Sequence, residues 1–372
     1  MSTTIQKTDL ETIAAAGLGR KAKTAFDTFK GTGVGVATDG ETWLEVYGDA
    51  APDASAAGMD GIGTNPKEQL GAVLAGATIG GRDFRRIVAG IVPATDTESS
   101  RYALGGVLLE VAEGSMLAAV ATDGRRLHVG HVQPTAIHGQ AAPIVWAEHW
   151  QALAVAVRAA VRKLCGASGR RLDAVIDRGT LSILVGSHKP TGGEVVVMTW
   201  ESSTADGHGR PIIVRAAALA VAGRFPRWRD IKPAAGSSLT VNVGRVADAV
   251  ADYAPLHRAA ERTGRAAWKL EQEEKKRRRQ YHGGEYRHPA GLVCTNEGMS
   301  GCGADWAAPV PATPVRVKLD HTYLAEALAG AAAWGATTAD IDATDDTSAV
   351  SISAGGEHGP QFLAVIMPMC MD

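Results

Sequence analysis

Residues 120–127 read VATDGRRL, and this is the most informative stretch of the 372-residue chain. An apolar run at 116–121 leads into a Thr-Asp-Gly turn at 122–124, which two arginines and a leucine follow directly. Asp-Gly between two apolar runs predicts a hairpin, because glycine adopts the positive φ that a tight turn requires. Taken alone, the stretch is typical of a surface hairpin with solvated arginines.

Length, charge and cysteine usage limit the protein classes that fit this chain. Its length exceeds one ordinary hydrophobic core and favours two or three domains, while a net charge of −2 argues against a simple nucleic-acid coat. The cysteines are widely spaced and form no CxxC pair, which favours a reduced, cytoplasmic protein without a metal site; they are Cys165, Cys294, Cys302 and Cys370. We expect no signal peptide and no membrane span, because no basic-then-apolar start or long apolar run is present.

Apolar spacing predicts an α+β protein in which helices and short strands alternate in three rounds. The predicted helices cover 9–29, 65–74, 82–92, 147–165, 245–264 and 320–334. The predicted strands cover 107–111, 116–121, 174–177, 181–185, 195–200, 212–216, 239–243, 291–295, 315–319, 348–353 and 362–367. Hairpin connections dominate, so we expect antiparallel sheets.

Two joints divide the chain into three predicted domains. Gly80-Gly81 forms the first joint, and a Pro-Ala-Ala-Gly-Ser linker within 233–238 forms the second. The resulting domains are 1–80, 81–235 and 236–372. The sequence VATDG occurs at both 36–40 and 120–124, a weak sign that the first two domains share an origin.

Basic residues gather on the polar sides of the predicted helices. They are Arg20, Lys21, Lys23, Arg82, Arg85, Arg86, Arg158, Arg162, Lys163, Arg258, Arg262 and Arg265. Each face alone is typical of a solvated amphipathic helix, but their recurrence in all three domains indicates one basic surface that binds duplex DNA without reading sequence. The run EQEEKKRRR at 271–279 either extends the fifth helix or forms an arm. Its charge fits three roles: a solvated insertion, a phosphate contact or a partner-specific element.

Four segments together resemble the bacterial beta sliding clamp, the ring that tethers the replicative polymerase to DNA. They are RYALGGVLLE at 101–110, VATDGRRL at 120–127, GRFP at 223–226 and VIMPM at 365–369. The resemblance extends over about residues 82–372 and is strongest in the second domain and at the C-terminal end.

The resemblance implies a non-catalytic processivity factor without cofactors. Clamps of this family are head-to-tail homodimers with three similar domains per subunit, each of which contributes two helices to a lumen around duplex DNA. The implied partners are duplex DNA, the DNA polymerase III catalytic subunit, the clamp loader and clamp-binding peptides of repair proteins. Our six predicted helices in three rounds agree with this plan.

The family also carries a cleft between its second and third domains that receives partner peptides. Matched by position, the cleft residues here are Leu104, Thr122, Gly124, Arg125, Arg126, Leu127, Pro226, Ile231, Val365, Met367, Pro368 and Met369. Leucine, proline and methionine suit an adaptable apolar slot, and the two arginines could hold acidic or backbone groups of a peptide.

The chain departs from the family pattern at several positions. Its first domain is shorter than usual, which puts ring closure in question. Arg125 stands where histidine is common, and Asp230 and Cys370 each replace a typical arginine. These changes are typical of a specialised paralogue or of a mobile-element clamp, with a peptide preference that differs from the usual one.

Two other function classes remain open at this stage. An enzyme could use His149, Asp123 or the Asp305-Trp306 pair for acid–base chemistry, although no phosphate loop, nucleophile elbow or metal-ligand spacing joins them. A clamp-like adaptor that does not close a ring would account for the short first domain.

Overall fold

The computed structural model describes residues 7–18, 22–29, 32–39, 41–47, 66–96, 102–112, 114–203, 211–231, 236–277, 291–301, 306–356 and 359–369. The chain forms two compact units, Met1–Gly124 with Val129–Pro226 and Arg125–His128 with Arg227–Asp372. Within the described ranges, no helix combines the length and apolar composition that a membrane crossing requires.

The first unit is an antiparallel sheet assembly with helices packed on it. Its elements are α1 (Lys7–Ala16), β1 (Lys23–Phe29), β2 (Thr32–Thr38), β3 (Thr42–Tyr47), β4 (Leu70–Gly80), α2 (Gly81–Gly90), β5 (Gly106–Ala112), β6 (Leu117–Thr122), β7 (Arg126–Val132), β8 (Ala136–Ala141), β9 (Ile144–Trp146), α3 (Ala147–Cys165), α4 (Gly169–Arg178), β10 (Thr180–His188), β11 (Glu194–Glu201) and β12 (Ile213–Leu219). Its strands lie in the order β1-β2-β3-β12-β11-β10-β4-β8-β5-β6-β7, with β9 beside β5.

The sheet around β3 is buried on both faces, as the unbroken burial of β3 shows. On one face, Leu44 approaches α1 and α3, where Gly17 lies against it. The opposite face holds a core cluster that includes Trp43, Tyr47 and Val197. A buried strand with apolar side chains on alternate sides accounts for both layers.

The described residues of the second unit form two smaller antiparallel sheets and two α-helices. Its elements are β13 (Ser237–Asn242), α5 (Val243–Arg277), β14 (Leu292–Cys294), β15 (Met299–Gly301), β16 (Trp306–Ala308), β17 (Val317–Leu319), α6 (His321–Ala333), β18 (Thr338–Ala343), β19 (Val350–Gly356) and β20 (Gly359–Ile366). One sheet runs β20-β19-β18-β13, with the first residues of β7 beside β20, and the other runs β16-β15-β14-β17.

Several predicted elements are confirmed. The helix predicted at 147–165 has the same bounds as α3, and those at 82–92 and 320–334 correspond to α2 and α6. The side chain of Asp320 caps α6 by accepting a hydrogen bond of 2.8 Å from the Thr322 N–H. The helix predicted at 245–264 continues through the charged run as α5, which spans 35 residues, or about 50 Å of helix.

Three element predictions are wrong. The helix predicted at 9–29 ends at Ala16, and β1 follows it because all seven of its residues pair with β2. Residues 65–74 form a short 3₁₀ turn and the start of β4, which is paired with β10 and β8. The strand predicted at 174–177 belongs to α4, whose apolar side chains pack inward.

The division into domains 1–80 and 81–235 stays a prediction. In the first unit, β3 pairs along its whole length with β12, so residues from both predicted domains share one sheet. Half of the predicted linker at 233–238 lies outside the described residues, and its last two residues begin β13.

Candidate functional site

The VATDGRRL stretch forms the turn between β6 and β7, as its Asp-Gly pair predicts. Gly124 adopts a φ of 88°, and its N–H donates a hydrogen bond of 3.1 Å to the buried Thr122 hydroxyl. This local bond explains why threonine precedes the turn.

Residues Arg125–His128 belong to the second unit, where side-chain contacts fix them. The Arg126 guanidinium pairs with the Glu326 carboxylate and lies 4.4 Å above the Tyr323 ring, both on α6. Its side chain is only 9% exposed, so it joins β7 to α6 and does not point into solvent. Leu127 is buried, and His128 meets the Phe362 ring edge-on at 5.5 Å.

The C-terminal segment after β20 lies along this stretch. The Met367 N–H donates a hydrogen bond of 2.9 Å to the Arg125 carbonyl, and the Met369 N–H donates one of 2.8 Å to the Lys318 carbonyl. Val365 is buried, whereas the Met367 side chain is 46% exposed beside the exposed Arg125. The second unit thus joins the backbone of two exposed residues, Met367 and Arg125.

The remaining residues of the predicted cleft fall in two places. In the second unit, Pro368 is half-buried, and Ile231 is exposed at the end of a 3₁₀ turn that no described contact joins to Met367. In the first unit, Leu104 is buried in a 3₁₀ turn, and Pro226 is exposed.

The first unit also brings the GRFP loop to the turn that contains Leu104. A Cβ built on Gly223 would lie 3.5 Å from the Ala103 Cβ, and Gly223 has a φ of 141° that favours glycine. The residue spacing alone could not predict this approach.

The predicted basic residues are divided among helices, one strand and undescribed positions. Lys23 lies on β1, which corrects its predicted place on a helix, and Arg20 and Lys21 lie outside the described residues. On α5, the predicted residues Arg258, Arg262 and Arg265 are exposed, and Arg265 pairs with Glu261 at 2.9 Å. The others lie on α2 and α3.

Two aspartates of α4 form ion pairs with arginines of α2 and α3 and neutralise part of the positive charge on those helices. Asp173 accepts from Arg85 at 2.6 Å and from Arg158 at 2.9 Å, and Asp177 pairs with Arg85 at 2.9 Å. Arg82 lies farther from Asp177, at 3.9 Å. Desolvation raises the pKa of Asp173, but the bonds and charges of Arg85 and Arg158 outweigh it and leave that pKa below its usual value.

The sequence did not predict these ion pairs, because residues 174–177 were expected to form a strand. The signal was present: Leu172, Val175 and Ile176 have helical spacing, and Ser168 stands at the N-cap position.

The residues considered for acid–base chemistry do not form a shared site among the described residues. His149 is buried in α3, and its Nδ1 lies 2.6 Å from the Thr42 hydroxyl. Asp123 lies in the β6–β7 turn, and Asp305 lies outside the described residues. Among the described residues, no group of three or more histidines, cysteines and carboxylates could hold a metal ion. His149 is therefore a core residue of α3.

Solved structures of sliding clamps match this chain over nearly its whole length. A DNA polymerase III beta subunit from Eubacterium rectale aligns with a TM-score of 0.62 and 10% identity over 98% of this chain and 96% of its own. The beta subunit from Thermotoga maritima aligns with a TM-score of 0.60 and 14% identity, over 98% and 97%.

A sliding clamp from Pseudomonas aeruginosa bound to griselimycin aligns with a TM-score of 0.61 and 16% identity, over 99% and 98% of the two chains. No protein-family model and no curated protein sequence matches the chain. At these identities the comparisons establish the fold: the chain has the α+β sliding-clamp fold, with large antiparallel sheets and few helices.

Proposed function

We propose that this chain is a DNA sliding clamp, a non-catalytic subunit that encircles duplex DNA and tethers a polymerase. The observation that carries the proposal is the match to sliding-clamp structures over at least 96% of both chains in each comparison above. A partial match would also suit an adaptor built from one clamp domain. A match over the whole chain favours a subunit with the same task.

The charge on the helices supports non-specific DNA binding. Basic residues lie on α2, α3 and α5, and phosphates repeat regularly along a duplex whatever its sequence. Such a surface holds DNA without fixing a position on it, which is what sliding requires.

Edge strands of the sheets support closure of a ring. Among the described strands, those at the ends of the strand orders have a single partner: β1 pairs with β2, β13 with β18, β16 with β15 and β17 with β14. The edge of β1 lies in the first predicted domain and that of β16 in the third, and two such unlike edges suit a head-to-tail homodimer, because the edge of one copy can pair with the other edge of the second copy. The domains 1–80, 81–235 and 236–372 belong to this proposal.

Partner peptides are proposed to bind the residues matched to the family's cleft. In the second unit these include Arg125 and Met367, which the structure leaves exposed, with Pro368 and Met369 beside them along the chain. In the first unit they include Leu104 and the exposed Pro226. The proposed partners are the DNA polymerase III catalytic subunit, the clamp loader and repair proteins, all in the cytoplasm.

Retention on circular DNA tests the proposal. The protein is loaded with a clamp loader and ATP onto a nicked circular duplex, separated from free protein by gel filtration, and the circle is then cut once. We expect the protein to elute with the intact circle and to leave after cutting. Equal retention on circular and linear DNA would contradict encirclement.

A clamp-like adaptor is the second candidate. The described part of residues 1–80 contains one α-helix of ten residues, α1, whereas two helices were expected there. A reduced first domain that cannot close a ring would leave a DNA-binding or peptide-binding monomer.

A further inference from the structure

The turn between α3 and α4 concentrates positive charge. Arg162 and Lys163 lie in the last turns of α3, Arg170 and Arg171 lie in the first turn of α4, and all four are exposed. No aspartate or glutamate occurs from residue 149 to residue 172. We call residues 162–171 the basic turn.

Two glycines of the basic turn lie at its exposed surface. Gly166 ends α3 with a φ of 59°, and Gly169 begins α4 with a φ of 53°. A Cβ added at either glycine would meet no heavy atom within 4 Å. The space directly beside both glycines is therefore open.

Helix α4 holds the basic turn in a fixed place. Leu172, Val175 and Ile176 are buried, and α4 packs on α2 and α3. At its other end, the Gly81 N–H of α2 donates a hydrogen bond of 2.7 Å to the Gly179 carbonyl. Because α4 is packed in place, the backbone that carries the basic residues loses little conformational freedom when it binds a ligand.

The carboxylates of α4 pair with two arginines that lie outside the basic turn. Asp173 and Asp177 pair with Arg85 and Arg158, as described above. Among the described residues, Arg162, Arg170 and Arg171 have no ion-pair partner. The excess positive charge of α2, α3 and α4 therefore lies at the turn between α3 and α4.

We propose that the basic turn is a DNA contact, in which Arg170 and Arg171 of α4 bind duplex phosphates next to Arg162. The inference rests on the proposed clamp function and adds a contact from a helix that the sequence did not predict. Phosphate suits the site better than a protein surface, because no large apolar side chain is exposed between residues 156 and 178. Protein interfaces need such buried anchors, whereas phosphate binding needs only fixed cations.

Charge reversal in the full-length protein tests the proposal. We would measure binding of a short labelled duplex by fluorescence anisotropy at several salt concentrations, for the unaltered chain and for the Arg170→Glu/Arg171→Glu double variant. We expect the affinity of the double variant to fall about tenfold or more at low salt. The neutral Arg170→Gln/Arg171→Gln variant should lower the slope of log affinity against log salt by about 2.

A matched control separates local contact from net charge. Lys189→Glu/Arg316→Glu makes the same change in charge at two exposed residues outside α2, α3 and α4, and it should leave affinity within about twofold. The proposal would be overturned if the Arg170/Arg171 variants bound the duplex as tightly as the unaltered chain does, or if the control variant lost as much affinity as they do. In either case the clamp function would stand. An unaltered chain that binds no duplex at low salt would also overturn the proposal, whereas the clamp function is decided separately by retention on circular DNA.

Discussion

Glu45 is a buried carboxylate whose partners all lie in the same sheet. Its side chain is fully buried and contacts the Arg215 guanidinium at 3.1 Å, the Tyr47 hydroxyl at 2.5 Å and the Trp43 indole N–H at 3.1 Å. Burial and the nearby carboxylate raise the pKa of Tyr47 far above its usual value, so the phenol keeps its proton to donate.

We predict that Glu45→Gln lowers the free energy of unfolding by about 3–5 kcal/mol, because it removes the negative charge that pairs with the buried Arg215 guanidinium. Urea unfolding followed by tryptophan fluorescence measures the change. The matched variant Glu41→Gln alters an exposed carboxylate on the preceding turn and should cost less than about 0.5 kcal/mol. Similar losses in both variants would show that Arg215 does not depend on Glu45.

His149 makes the first unit sensitive to mild acid. Desolvation lowers its pKa to about 4 from 6.5. Its stabilising contribution as a neutral base is therefore complete above pH 6.5 and declines as the pH falls toward 4, by up to about 1.4 kcal/mol per pH unit.

The pH dependence of urea unfolding between pH 7 and pH 4 tests this expectation. Unfolding of the unaltered chain should become easier across that range, and His149→Gln should flatten the profile because glutamine does not titrate. His138→Gln, at an exposed histidine, should leave the profile unchanged. A His149→Gln profile as steep as that of the unaltered chain would assign the acid sensitivity to other groups.

Among the elements, α4 controls how much positive charge α2 and α3 can present to DNA. Because Asp173 holds both Arg85 and Arg158, we predict that Asp173→Asn raises duplex affinity severalfold at low salt. The same variant should lower the free energy of unfolding by less than about 1 kcal/mol, since the ion pairs are partly exposed.

Anisotropy with a labelled duplex and urea unfolding measure the two effects of Asp173→Asn. The control Asp346→Asn removes one exposed charge in the second unit and should change neither value. An unchanged or lower affinity for Asp173→Asn would mean that Arg85 and Arg158 do not reach DNA.

The segment after β20 is the element on which the proposed peptide binding depends. Met367 is 46% exposed beside Arg125, so Met367→Glu should lower the affinity for a polymerase clamp-binding peptide about tenfold or more without unfolding the chain. Met116→Glu is a matched control, because Met116 is 41% exposed and precedes β6 in the other unit. Peptide binding that is equal in both variants would exclude Met367 from the site.

Elements were predictable from the sequence where short-range signals decide them. Apolar spacing and the Asp320 cap are sufficient for α6, and the Asp-Gly turn is sufficient for the β6–β7 hairpin. Residues 70–80 form a strand because β10 and β8 pair with them, and both partners are distant in sequence. Arg126 was expected at a cleft rim but pairs with Glu326 of α6, and this partner too is distant in sequence.

At the scale of the whole molecule, the open edges of β1 and β16 lead to a prediction about assembly. An edge strand exposes backbone N–H and C=O groups, and two unlike edges on one chain can pair with each other between copies. A ring made in this way needs two copies and contains two identical interfaces. We therefore predict that the protein in solution has twice the 38.6 kDa mass of one chain.

Sedimentation equilibrium or light scattering at micromolar concentration measures this mass directly. The reduced first domain, with α1 as its single described helix, is the feature that makes the result informative, because β1 belongs to that domain. A dimer would mean that one helix and its strands are enough to close the ring. A monomer that persists across the concentration range would contradict head-to-tail closure and favour the adaptor, which would bind linear and circular DNA alike.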